Sequence, residues 1–145
     1  MALSPRLLLL VLADVAFLAG AAMDGSNSNS APGKCTSGDC DNGRGIWEHH
    51  SRAGDESYDG SWKGGLRDGY GVQIYNDGSH YAGEWKHGKR HGQGIFMGAV
   101  AMDSYDGAWA DDERHGKGTE FRSDGEYRGE WTRGVADFDN EEAEL

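Results

Sequence analysis

Residues 81–94 read Tyr-Ala-Gly-Glu-Trp-Lys-His-Gly-Lys-Arg-His-Gly-Gln-Gly, with Tyr-x-Gly-x-Trp at the start and His-Gly-x-Gly at the end. The opening half recurs as Tyr58-Asp-Gly60-Ser-Trp62, Tyr105-Asp-Gly107-Ala-Trp109 and Tyr127-Arg-Gly129-Glu-Trp131, with Tyr81-Ala-Gly83-Glu-Trp85 as the clearest copy. The tyrosines are 23, 24 and 22 residues apart. A Gly-x-Gly element follows at Gly69/Gly71, Gly92/Gly94 and Gly116/Gly118, and Gly43/Gly45 belongs to a leading copy without its aromatic half. The last copy fades after Gly134. A fixed period of this length marks a repeat architecture.

In Tyr-x-Gly-x-Trp the marked residues occupy every second position, so an extended strand places them on one face. The central glycine leaves a gap between two rings, open to an aromatic or an Arg/Lys stem from a neighbouring strand. A second alternating segment follows Gly-x-Gly. Val72/Ile74, Ile95/Met97 and Thr119/Phe121 share one face there, and Gln73/Tyr75 and Glu120/Arg122 point away. Asn76-Asp77-Gly78 and Ser123-Asp124-Gly125 carry turn chemistry. Each repeat is therefore a two-strand hairpin, too small to offset its own ordering entropy, and stable only when stacked on its neighbours. The expected fold is all-β: an elongated single-layer antiparallel sheet of stacked β-hairpin repeats, with up to eight strands between Ile46 and Trp131. The stretch from Gly45 to Tyr58 is three residues longer than that from Gly71 to Tyr81, which predicts a bulging loop at Glu48 to Asp55.

Glycine contributes 24 of 145 residues, and five Trp and six Tyr argue against a disordered chain. The formal charge of −11 is uneven, with five acids and no base in residues 136–145. No basic stripe is present of the kind that nucleic-acid binding requires, so no nucleic-acid partner is expected.

Residues 1–21 resemble a secretory signal peptide, with Arg6 before an apolar run from Leu7 to Leu18 and small residues at Ala19-Gly20-Ala21. That predicts passage through the secretory pathway or release outside the cell. An uncleaved leader would instead leave the chain membrane-associated or cytoplasmic. Residues 22–42 form a polar linker with a cysteine pair, residues 43–135 the repeat domain and residues 136–145 an acidic tail. In an exported chain Cys35 and Cys40 favour a disulfide, with intermolecular bonds or free thiols as the alternatives.

The unit Tyr-x-Gly-x-Trp-x-x-Gly-x-x-x-Gly-x-Gly resembles the MORN repeat (membrane occupation and recognition nexus), and Tyr81 to Gly94 fits it at every marked position. The likeness covers about residues 42–134. One departure is Asp112, which stands where other copies have glycine after the tryptophan. The resemblance implies a non-enzymatic, elongated scaffold for protein–protein association and dimerisation. Binding to phosphoinositides or other anionic lipid is the alternative it implies. Fourteen residues follow Trp131, too few for the kinase or SET modules that accompany such repeats elsewhere.

No cofactor, metal or catalytic set is expected. His91 and His115 hold the same repeat position and read as structural. His49-His50 and Asp111-Asp112-Glu113 read as solvated loop residues. Gly92-Gln-Gly94 lacks the strand-to-helix setting and Gly-Lys-Ser/Thr ending of a phosphate loop. One cluster is a candidate anion or partner site: Lys86, Lys89, Arg90 and His91, in a single hairpin loop beside Trp85.

Overall fold

A computed structural model describes residues 33–100 and 103–137. The leader at 1–21, the linker as far as residue 32 and the tail from residue 138 lie outside the described residues. Ten strands run in order: β1 Lys34–Gly38, β2 Arg44–Ser51, β3 Gly54–Lys63, β4 Leu66–Ile74, β5 His80–Lys86, β6 Lys89–Met97, β7 Ser104–Ala110, β8 Glu113–Arg122, β9 Gly125–Thr132 and β10 Val135–Asp137. They form one open antiparallel sheet in which each strand pairs only with its sequence neighbours. All regular structure in the described residues is strand.

The hairpins within repeats close on two-residue turns whose central residues both take positive φ: Gly64-Gly65, His87-Gly88, Asp111-Asp112 and Arg133-Gly134. Such turns match the right-handed twist of the flanking strands. Asp112 keeps this geometry at φ 73°, so its departure from glycine does not break the array.

A line of directly opposed glycines crosses the sheet, Gly38, Gly45, Gly60, Gly71, Gly83, Gly94, Gly107, Gly118 and Gly129. The tyrosine rings lie in this channel. A Cβ built on Gly71, Gly94 or Gly118 would sit 2.2 Å from the hydroxyl oxygen of Tyr58, Tyr81 or Tyr105, respectively. The gap beside each central glycine is thus filled by the ring of its own strand, rather than by a stem from a neighbour. Only two facing glycines leave the ring enough room to lie against backbone.

The two glycines of Gly-x-Gly do different work. Gly69, Gly92 and Gly116 have φ of 105°, 58° and 61°. They lie where the register shifts on β4, β6 and β8, opposite Gly60/Trp62, Gly83/Glu84 and Gly107/Trp109. These are β-bulges, which admit the extra residues and re-aim the side chains before them. The second glycine of each pair receives the tyrosine.

Several expected features need correction. β2 to β9 are the eight strands expected between Ile46 and Trp131, but β1 and β10 extend the sheet beyond 43–135 at both ends. β1 forms inside the supposed linker, where Cys35 and Cys40 are disulfide-bonded, and β10 reaches into the acidic tail as far as Asp137. Residues 48–55 do not bulge: β2 and β3 pair without a register shift from Arg44↔Ser61 to Ser51↔Gly54, so the extra length only extends the hairpin. Gln73 and Glu120 do point away from the Val72/Ile74 and Thr119/Phe121 face, but that direction buries them beside the tyrosines at 3% exposure each, where arginines satisfy them.

Candidate functional site

Eight rings form a continuous edge-to-face ladder: Trp62, Tyr58, Trp85, Tyr81, Trp109, Tyr105, Trp131 and Tyr127, with neighbouring centroids 5.0–5.6 Å apart. Each tryptophan touches the tyrosine of its own strand and the tyrosine of the preceding repeat where one exists. This geometry sets the positive ring edge against the negative face and adds about 0.5–1.5 kcal/mol per pair beyond burial. Trp62, Trp85 and Trp109 donate from Nε1 to the carbonyls of Gly45, Gly71 and Gly94 at 3.0–3.3 Å. The hydroxyls of Tyr58, Tyr81 and Tyr105 donate to the carbonyls of Ser61, Glu84 and Ala108 at 3.0–3.1 Å. Burial pushes the Tyr105 phenol up to about 12, and raises Tyr58 and Tyr81 further in the same direction. These phenols stay protonated and act as hydrogen-bond donors.

A column of arginines lies on the ladder. Arg67 stacks 4.1 Å from the Trp85 centroid, Arg90 4.3 Å from Trp109 and Arg114 5.1 Å from Trp131. Cation–π contact of this kind favours the flat, weakly hydrated guanidinium. Arg67 also donates to Gln73 and to the carbonyl of Gly88, and Arg114 donates to Glu120, which Arg122 approaches from the other side. In return, the amides of Gly88, Asp112 and Gly134 donate to the carbonyls of Arg67, Arg90 and Arg114, tying each turn to the hairpin before it. Sequence reasoning passed over this column. Its signal was an arginine five residues after Trp62, Trp85 and Trp109.

The candidate cluster Lys86, Lys89, Arg90 and His91 is therefore divided in its roles. Arg90 donates from Nε to the Asp112 carboxylate at 3.2 Å and from Nη2 to the Asp112 carbonyl at 2.8 Å, while the same carboxylate accepts its amide at 2.9 Å. Lys89 lies 3.8 Å from the Asp111 carboxylate. The carbonyl of His91 accepts from the Tyr81 hydroxyl at 3.4 Å, and its buried Nδ1 has no hydrogen-bond partner. Lys86 is exposed. Lys89 and Arg90 thus face the next repeat's acidic turn, and Asp111-Asp112 serves as their counterpart rather than as a simple solvated turn. His49 lies in β2 with its ring stacked 6.2 Å from Trp47, and His50 pairs with Asp55 at 3.1 Å. Among the described residues no three His, Cys, Asp or Glu side chains converge as a metal site.

The opposite face differs in kind. Registry aligns Ile46, Asp59, Val72, Ala82, Ile95 and Asp106 in one row across β2 to β7, with Ile74, His80 and Met97 in the next. Among the described residues no second layer covers this face. Val72, Ile74, Ala82, Ile95 and Met97 are only partly buried there.

A family model described as the MORN repeat matches residues 58–80, 81–99 and 105–126. No curated protein matches the chain.

Proposed function

The chain is a MORN-repeat protein, and from that premise we propose that it is a non-enzymatic scaffold that recognises proteins through the open face of its sheet. MORN repeats are generally non-catalytic interaction modules. The observation that carries the reading is the contrast between the two faces. On one, Tyr58, Tyr81 and Tyr105 are 0% exposed and the arginines are engaged within the array. On the other, the apolar row through Val72, Ala82 and Ile95 is uncovered, with Asp59 and Asp106 bounding it in register. An apolar centre with a polar rim is the usual anatomy of a protein interface. A secretory-pathway location is part of this proposal; the signal-like residues 1–21 support it, and the Cys35–Cys40 bond accords with an oxidising compartment.

The lipid-adaptor alternative draws less support, since Asp111 and Asp112 stand against Lys89 and Arg90 and reduce the positive field of that loop. Sedimentation velocity over a wide concentration range, with affinity capture using the full chain as bait, tests the scaffold reading. Self-association or capture of a specific protein partner is expected. A chain that stays monomeric and captures nothing would remove the reading's support.

A further inference from the structure

Across the open face one row reads acid, apolar, apolar, apolar, acid. Asp59 on β3, Val72, Ala82 and Ile95 on β4 to β6, and Asp106 on β7 oppose one another in register. Four strand intervals separate the two acids, about 19 Å. Ala82 contributes only a methyl group between Val72 and Ile95, so the row dips at its centre. The apolar surface continues along the strands. Ile74 and Met97 lie in the row on one side, flanking His80, whose Nδ1 is turned to the Gly78 carbonyl at 3.0 Å. Tyr70, 59% exposed, lies in the row on the other side, and the Glu84 opposite it is turned back onto the amide of Gln93. The two end acids stay accessible. Asp106 is exposed, and Asp59 pairs at 3.6 Å with an Arg44 side chain that is itself 76% exposed. An ion pair so open to water is easily exchanged for another.

The form of the occupant follows from the backbone. β4, β5 and β6 are each paired on both sides, so this face offers no main-chain partner. A segment lying on it must satisfy its own backbone, which a helix does and a lone strand does not. A helix about 10 Å wide fits between the two acids and leaves each within reach of a long cationic side chain on its flank. We propose that the occupant of the open face is a basic amphipathic helix of a partner protein, with its axis along β4 to β6. Its apolar stripe rests on Val72, Ala82 and Ile95, and one Lys or Arg on each flank pairs with Asp59 or Asp106. Residues one place before and after a stripe residue are turned about 100° to either side of it. The recognition element is therefore cation–apolar–cation at the centre of an apolar i, i+3, i+4 stripe. A second copy does not fit face to face through this row. A twofold axis along the row or along the strands sets acid against acid at both ends, which opposes the pairing. This rests on the interaction-module reading and names the chemistry of the partner.

The test uses the full chain and a labelled, helix-stapled peptide of fifteen residues, read by fluorescence anisotropy. The peptide carries leucine at its fourth, fifth, eighth, eleventh and twelfth positions and lysine at its seventh and ninth, on an alanine and glutamine background. One control replaces both lysines with glutamate, and a second scrambles the order at the same composition. The lysine peptide should bind about tenfold more tightly than either control. The Asp59→Asn/Asp106→Asn variant should lose the preference for lysine over glutamate while its urea unfolding midpoint stays unchanged. Equal binding of the lysine and scrambled peptides, which would reflect only the net charge of −11, overturns the proposal. So does a lysine preference that survives the double asparagine variant, or no binding at all. A natural partner whose capture is lost with Val72→Lys/Ile95→Lys but kept, undiminished, with Asp59→Asn/Asp106→Asn would leave the open-face reading standing and overturn the basic helix, so either idea can fail alone.

Discussion

The hydroxyl of Tyr81 lies so close over Gly94 that a methyl group on that glycine would sit 2.2 Å from it. The same relationship joins Tyr58 to Gly71 and Tyr105 to Gly118, and it makes the second glycine of each Gly-x-Gly a packing residue. Gly94→Ala should therefore cost about 3 kcal/mol through overpacking of a ring with nowhere to move. Gly78→Ala, at φ 86° with nothing near its Cβ, should cost only about 1 kcal/mol of backbone strain. Urea unfolding midpoints compare the two. Adding Tyr81→Ser to Gly94→Ala should be markedly less than additive, because the clash is then gone.

Arg90 connects one repeat to the next by stacking on Trp109 and by gripping Asp112. Arg90→Lys keeps the charge but loses the planar fork, so stability should fall by about 1–2 kcal/mol. Asp112→Gly keeps the left-handed turn at φ 73° and removes only a partly exposed carboxylate. Its effect should stay within about 1 kcal/mol. Denaturant unfolding of both variants gives the comparison, and an Asp112→Gly loss larger than that of Arg90→Lys would reverse the assigned roles.

Glu120 and Gln73 occupy equivalent buried positions, each accepting from an arginine of its own repeat. Glu120→Gln should thus be tolerated within about 1 kcal/mol, since the amide oxygen can take the bond from Arg114 as Gln73 takes that from Arg67. Glu120→Ala leaves Arg114 without its acceptor and should cost about 2–3 kcal/mol. Thermal unfolding of the two variants distinguishes these outcomes.

The buried tyrosines predict alkaline sensitivity. Tyr105 is raised by burial from 10.0 to about 12, and Tyr58 and Tyr81 are raised further. The folded state holds these protons more tightly than the unfolded chain. Their contribution to stability is complete below pH 10 and is lost as pH rises through about 12. Unfolding midpoints should decline across that window, with tyrosinate absorbance from the three buried rings emerging as the sheet melts. Ionisation of all six tyrosines near 10 with the fold intact would contradict the packing described.

Much of this architecture was legible in the chain. Tyr-x-Gly-x-Trp alternates with the pleat of a strand, and its recurrence at Tyr58, Tyr81, Tyr105 and Tyr127 gave both the hairpins and their stacking. The glycine line was not legible, because opposition of Gly83 to Gly94 is a property of register, not of either strand alone. Burial of Gln73 and Glu120 was hidden for a related reason: each is polar, and only a bulged neighbouring arginine makes its burial affordable. β1 and β10 carry no alternation to read. One is tied to an anchored turn by a disulfide, and the other ends the array where Ala136 replaces the stacking arginine. The basic loop drew attention as a charge cluster, but its acidic counterpart Asp111-Asp112 lies more than twenty residues later and meets it only across the repeat boundary.

The central claim is that the open face binds proteins while the basic loop serves the array. Affinity capture with the full chain tests it most directly, comparing Val72→Lys/Ile95→Lys with Lys86→Glu/Lys89→Glu. The new lysines of the first variant stand opposite Asp59 and Asp106, so cross-strand charge pairing should preserve the sheet. Loss of the captured protein from the face variant, with retention by the loop variant, is the expected result. Retention by the face variant and loss from the loop variant would contradict the account.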